Sequence, residues 1–454
     1  MGYISARLPG AAGEERFGRG SRAALHLASD SAISTALDER SVSFSRSSPR
    51  AVRDTYGRMA YVGPHTSAWF HHDLDGDGIF EQPGRSLHAG ATNGFIWSED
   101  LTQAAYIKNN VTVGSNVIPS PVGGKVADEV TISTASSVTH YVQRTDLPAA
   151  SANTLQSQAL FAKYRDLPWL CIATSDKANV GRFSYINIQT GTKGTSIDIG
   201  HTISLEPWAD GWYRIMVSWN VASGGSTPTL VVYLANGDGA TLSFAGTVGT
   251  GVYLTGFHAE ANHAWCGPYI PTTSSTVTHN TPNCSVEVAW GESDVTVRAR
   301  IARQHWMSVP GTHHITPLVF SRGVAPVYML LGFLASSRSV IAELGNGVGV
   351  VTNVSKPIPS IAQAPHAIDI VAQYKNLLGR VGRNGPKCAL DVADGSGLSA
   401  DSSGTIPAYT VGALGTTLQV GDAGWSLGNT LSSEMFDLVG EMALVPPDLM
   451  RTAS

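Results

Sequence analysis

Charge is what this chain has least of. Charged residues make up 14% of the sequence, against roughly 25% in an ordinary soluble domain, and the 30 basic and 35 acidic residues form no run of one sign. Without a basic stripe there is nothing to neutralise a phosphate backbone, so nucleic acid is not an expected partner. Long apolar runs are missing as well. No stretch approaches the roughly 18 residues that a membrane helix needs, and no membrane partner is expected. The opening "MGYISARLPGAAGEERFGRGSR" lacks the apolar centre of a secretory signal, and Ala6 stands where a myristoylated terminus requires Ser or Thr. Cysteine is sparse: Cys171, Cys266, Cys284 and Cys388 are scattered, with no Cys-x-x-Cys spacing. That pattern argues against a disulfide framework and against zinc, and predicts buried, reduced thiols in a protein made in a cytoplasm. The motifs of a nucleophile elbow, a zinc protease helix and a phosphate loop are all lacking.

What replaces charge is glycine and small polar residues. With 48 glycines in 454 residues, the chain suits short strands joined by tight turns. "LFAKYRD", "LPWLCIAT", "FSYINIQTG", "WYRIMVSW", "LVVYLANGDG" and "GVYLTGFHAE" follow one another, several alternating apolar with polar, each bounded by turn residues. A polar break at 271–283 precedes a second series, from "CSVEVAW" to "FDLVGEMALV". The fold class expected is all-β: two tandem β-sandwich or jelly-roll domains preceded by an extended N-terminal arm. The divisions are an anchoring arm over 1–42, a β-rich attachment segment over 43–98 packing on the first sandwich, a first sandwich over 99–280 and a second over 284–450. One brief helix is expected over "SEDLTQAAYIK", with Ser98 as its cap. The arm cannot bury a core of its own, so it is expected to lie on a partner.

Several phrases in order carry a resemblance. Phe44, Arg46 and Ser47 open it; Phe70, His72 and Asp73 follow; then come Thr92 and Asn93, and Ser98, Glu99 and Asp100. Gly211, Trp212, Tyr213 and Arg214 lead to a closing Tyr269, Ile270, Pro271 and Thr272. Over roughly 43–280 this resembles a carbohydrate-binding-like module of tailed-bacteriophage structural proteins. The segment "SLHAGATNG" departs from the family pattern, and Cys266 occupies a place where a small hydroxyl residue is usual. Residues 284–450 look, more weakly, like a laminin-G or concanavalin-A-like jelly roll. The resemblance implies a non-enzymatic structural protein of the virion surface, assembled in the host cytoplasm, as capsid decoration or tail fibre. It implies contacts of the arm with major capsid or tail proteins, a homotrimer by analogy, and sandwiches that bind host glycans. A glycan-degrading tail spike or depolymerase is the alternative.

Candidate sites follow from residue chemistry. Trp208, Trp265 and Trp425 sit in loop-like text and are the surface aromatics proposed to stack on sugars, whereas Trp212 and Trp219 lie within alternating strands and read as core. "HHDLDGDGIFEQPG" begins like a calcium loop, with Asp73, Asp75, Asp77 and Glu81 as oxygen donors for Ca2+. Gly84 stands where the bidentate acid belongs, which favours a plain turn over a cation site. Glu206, Asp210 and Glu260 could supply a carboxylate pair for glycoside cleavage, a weak nomination in a chain with 35 acids.

Overall fold

The computed structural model describes residues 24–26, 42–66, 68–72, 79–80, 82–86, 90–122, 126–145, 147, 155–175, 181–197, 201–221, 229–261, 263, 266–280 and 282–287, and ten strands between 295 and 442. Side chains are described chiefly between 45 and 282. Among these residues the chain is all-β, with no α-helix.

Two six-stranded antiparallel sheets face each other in the first sandwich. Sheet one runs Thr202–Trp208, Trp212–Asn220, Leu155–Tyr164, Gly251–Glu260, Val126–Ile132, Val111–Pro119. Sheet two runs Thr192–Ile197, Arg182–Asn187, Trp169–Ser175, Thr229–Ala235, Tyr141–Arg144, Ile107–Asn109. Neighbours such as Leu155–Tyr164 and Gly251–Glu260 are distant in sequence, so the layers are tied by long-range pairing. The core between them is apolar: Leu160, Ala162, Ile215, Val217 and Trp219 from sheet one meet Leu170, Ile172, Val232 and Leu234 from sheet two. These are the alternate positions of their strands, as a pleated layer with one face inward requires. Trp212 and Trp219 are both buried, as their strand pattern predicts.

Sheet one is covered on its outer face too. The paired strands Arg50–Arg53 and Met59–Val62, followed by Trp69–His72, lay Ala51, Val52, Met59 and Phe70 against Phe161, Trp208, Trp212 and Tyr269. The same N-terminal stretch also reaches the second set of sheets. Val42–Ser45 pairs with Asn283–Glu287 in a seven-stranded sheet, and Gln82–Ser86 and Trp69–His72 extend an eight-stranded sheet past Glu434–Met442. Three strands between 42 and 86 therefore join sheets whose other members, Ala24–His26 apart, lie from 283 onward. Within the expected arm, Ala24–His26 pairs with Glu434–Met442 of its own chain.

The helix expected from Ser98 does not form. Residues 98–106 are successive turns, and the reason lies in what the capping groups bond. Trp97 has a left-handed φ of 56°, and the Ser98 hydroxyl is engaged by Tyr269 and Thr272 instead of the following amides. Asp100 accepts from Thr102 N–H at 3.0 Å and from the Gln103 amide at 2.6 Å, closing local turns that compete with helix. Leu101, fully buried, donates its N–H to Asp128 Oδ2 at 2.7 Å. Tertiary partners outweigh a modest local propensity.

Candidate functional site

Several residues that carry the resemblance, Asn93, Ser98, Glu99, Arg214, Tyr269, Ile270 and Thr272, meet in one seam at the edge of the first sandwich. Asn93 is its hub. Its amide donates to the carbonyls of Phe257 (3.0 Å) and Ile270 (2.7 Å), while Oδ1 accepts from the N–H groups of Phe95 and Ala259, each at 3.0 Å. Ser98 Oγ lies 2.7 Å from the Tyr269 hydroxyl and accepts from Thr272 N–H at 2.9 Å. Thr272 Oγ1 donates to the Phe95 carbonyl, and the Tyr269 hydroxyl donates to Glu99 at 3.0 Å. Arg214 reaches the Gly267 carbonyl. Arg214 apart, whose Nε has no hydrogen-bond partner among the described residues, segments some 170 residues apart are thus sewn together by buried, satisfied polar groups, the condition under which such groups stabilise a fold.

Beside this seam lies a titratable cluster, and one glycine positions it. Along Gly251–Glu260, Val252 and Leu254 face the sandwich core, but so do Phe257 and Ala259. The parity changes at a bulge: Ala159 pairs with His258 and Phe161 with Thr255, so Gly256 and Phe257 together oppose Leu160 alone. Gly256 has φ of +64°, and a Cβ there would stand 2.7 Å from the Phe161 ring, which restricts the position to glycine. Without the extra residue His258 and Glu260 would face the apolar core. With it they turn to the outer face, where Ser157, Arg214 and Cys266 lie.

His258 Nε2 is 3.1 Å from Glu260 Oε1, and His263 Nδ1 is 3.0 Å from Oε2. Gly267 N–H donates to Oε1 at 2.9 Å, and Cys266 Sγ lies 3.5 Å from Ser157 Oγ. Burial alone would raise the Glu260 carboxyl, but the imidazoles of His258 and His263 against its two oxygens hold it well below the usual carboxylate range. His263 works against its own burial and is raised by Glu260. His258, sealed from water, is lowered by burial despite the same carboxylate. Burial pushes the Cys266 thiol up, with Glu260 adding to it. The state favoured is a Glu260 carboxylate paired with a His263 imidazolium, a neutral His258 and a protonated thiol. The donor atoms of His258, Glu260 and Cys266 lie within 4.8 Å of one another.

Glu260 and His263 also form a wall of an open groove of about 640 Å³, shared with Thr92, Thr278, His279 and Asn280. The paired strands Ala91–Asn93 and Val277–His279, locked by Thr92 and Thr278 hydroxyls 2.7 Å apart, also contribute to its lining. Hydroxyl, amide and imidazole groups in an open cleft can exchange hydrogen bonds with a polar ligand.

The residues nominated from sequence are not gathered here. Trp208 presents no exposed stacking face: it is buried at 5% exposure, edge-on to Phe70 and Phe161 at 5.9 and 5.2 Å, with Nε1 donating to Glu206 at 3.2 Å. Its bulky ring fills the space between sheet one and the N-terminal strands, and that burial corrects the surface assignment. Trp265 and Trp425 lie outside the described residues, as do Asp73, Asp75, Asp77 and Glu81. Glu206 is 3.5 Å from Arg53, Asp210 is exposed in the turn joining two strands, and Glu260 belongs to the histidine cluster. What the sequence reading missed is the pairing of His258 with Glu260 and Cys266; the signal was "HAEANHAWC", in which His, Glu, His and Cys recur at close spacing.

No family model matches the chain. No curated protein matches it either. Among solved structures there is a likeness to the mouse laminin alpha1 chain, domains LG4-5, at 11% identity over 68% of this chain and 88% of that one, with a TM-score of 0.21. A likeness that slight carries no argument, and the all-β sandwich assignment stands on the paired sheets themselves.

Proposed function

We propose that the chain is a non-enzymatic structural protein of a bacteriophage virion surface, a capsid decoration or tail appendage whose lectin-like sandwich binds a host-surface glycan through the groove at Thr92, Thr278 and Asn280. The observation that carries the reading is the seam. Phrases that resemble the phage module, far apart in sequence, meet as Asn93, Ser98, Glu99, Arg214, Tyr269 and Thr272 in one hydrogen-bonded junction. A shared scaffold junction is the kind of feature that a family pattern of scattered polar residues would encode, and the polar groove opens beside it. In this reading the N-terminal arm contacts major capsid or tail proteins and the chain assembles as a homotrimer.

Quantitative mass spectrometry of purified particles tests the assignment. Hundreds of copies per particle are expected for a decoration protein and a few dozen or fewer for an appendage; absence from particles overturns the proposal. On a glycan array the full chain is expected to bind, and Thr278→Ala with Asn280→Ala to reduce that binding. A blank array removes the glycan role, and release of reducing ends from a bound polysaccharide would replace it with the depolymerase reading.

A further inference from the structure

We propose that His258, Glu260 and Cys266 form a binding site for a divalent transition-metal ion of the zinc type, independent of what the groove binds. Three donors of different chemistry come together although two of them belong to a strand and the third to the loop that returns over it. The bulge at Gly256 turns His258 and Glu260 to one face, two residues apart, and Cys266 comes back within 4.8 Å of both. A tetrahedral zinc ion holds such atoms at about 2.0–2.3 Å, so a modest contraction of the trio suffices.

The second observation is an unmet need. His258 is 0% exposed; among the described residues its Nδ1 has no hydrogen-bond partner, and its Nε2 meets only Glu260 Oε1, at 3.1 Å and off the axis of a good hydrogen bond. Buried polar atoms are nearly always bonded, and an orphaned one asks for an unseen water or ion. A coordinate bond at Nε2 answers that need, and the Gly267 N–H on Oε1 already orients the carboxylate as ligating carboxylates are oriented. His263, 3.0 Å from Oε2 and on the groove wall, is the nearest further donor and marks the side of entry. Thiol, imidazole and carboxylate together suit zinc or cobalt over calcium or magnesium, which want oxygen alone. On binding, the ion takes the Cys266 sulfur as thiolate and the thiol proton leaves to water, so uptake releases one proton and strengthens with rising pH.

The test uses the full chain, stripped with a chelator, dialysed and titrated with Co2+. One equivalent should produce a near-ultraviolet thiolate-to-cobalt band with the intense visible bands of a tetrahedral ion, and added Zn2+ should bleach both. Cys266→Ser should lose the near-ultraviolet band while Cys171→Ser, at the other described free cysteine, keeps it. His258→Gln should weaken uptake by more than the roughly tenfold that loss of even an outer partner costs, and Zn2+ should raise the melting temperature of the parent chain but not of this variant. No band at one equivalent, a band that persists in Cys266→Ser, or unchanged affinity in His258→Gln overturns the proposal.

Discussion

The two faces of sheet one are packed by opposite rules. Toward sheet two, side chains such as Ile215, Val217, Trp219, Val252 and Leu254 form a continuous apolar layer. Toward the N-terminal strands the largest fully buried side chains include Arg46, Arg50 and Arg53. Among the described residues their guanidiniums reach backbone carbonyls: Arg46 donates to Ser48 and Gly63, Arg50 to Asn280, and Arg53 to His71 and Pro207, with Glu206 3.5 Å from Arg53 as well. Arg53 also lies 4.5–5.1 Å from the ring centres of Phe80, Phe70 and Trp208. The inner face needs only bulk at alternate positions, because sheet backbone is already hydrogen-bonded. The outer face meets carbonyls outside the strands, at Ser48, Gly63 and Asn280, and on edge strands, at His71 and Pro207. A planar group with five donors on an apolar stem meets both demands at once.

Two substitutions probe that contrast. Phe257→Ala, which removes a ring packed edge-on to Phe95 and Tyr106 at 6.1 and 5.3 Å, should cost about 3–5 kcal/mol in urea unfolding. The loss there is bulk, so Phe257→Leu should recover most of it. Arg53→Met keeps the stem over Phe70 and Trp208 but strands the His71 and Pro207 carbonyls, and should cost about 2 kcal/mol. Replacing Arg53 by Lys should recover little, because one ammonium cannot span both carbonyls in the guanidinium's geometry. If Met at 53 proves as stable as Arg, the outer face is an ordinary apolar layer and the contrast collapses.

The same contrast explains what could be read beforehand. Alternation in "WYRIMVSW" marks Ile215, Val217 and Trp219 as one face, and the all-β class with its sandwich layers follows from such runs. The outer seam obeys no period. Arg46, Arg50 and Arg53 look like surface residues, since a charge is ordinarily left in water, and only their distant carbonyl partners make them interior. Trp208 was misplaced for the same reason: the residues that cover it, Phe70 and Phe161, come from other parts of the chain. The cluster at His258 is hidden by a single glycine. Strict alternation through "VYLTGFHAE" would put His258 and Glu260 with Val252 and Leu254, and only the positive φ at Gly256 separates them.

The smallest effect expected comes from His279, on the groove side of the seam and close to its arginines. It is 3% exposed, and burial, aided by the charges of Arg50 and Arg46, pushes its imidazole down to about 4. An unfolded chain protonates the same ring near pH 6.5. Between those values the unfolded state binds a proton that the folded state refuses, so stability must fall as the pH is lowered from 6.5 toward 4. At pH 5.5 the loss from this group is about 1 kcal/mol. His279→Gln removes the titration and keeps a polar side chain, so the stability difference between variant and parent should shift in the variant's favour as the solution is acidified from pH 7.5 to 5.5. Urea midpoints at those two pH values, measured in chelator to keep metal out of the comparison, read it directly. A difference that stays constant with pH would mean that His279 accepts its proton in place, with water reaching the seam beside Arg50. The outer face would then be a wet interface and not the dry counterpart of the apolar core.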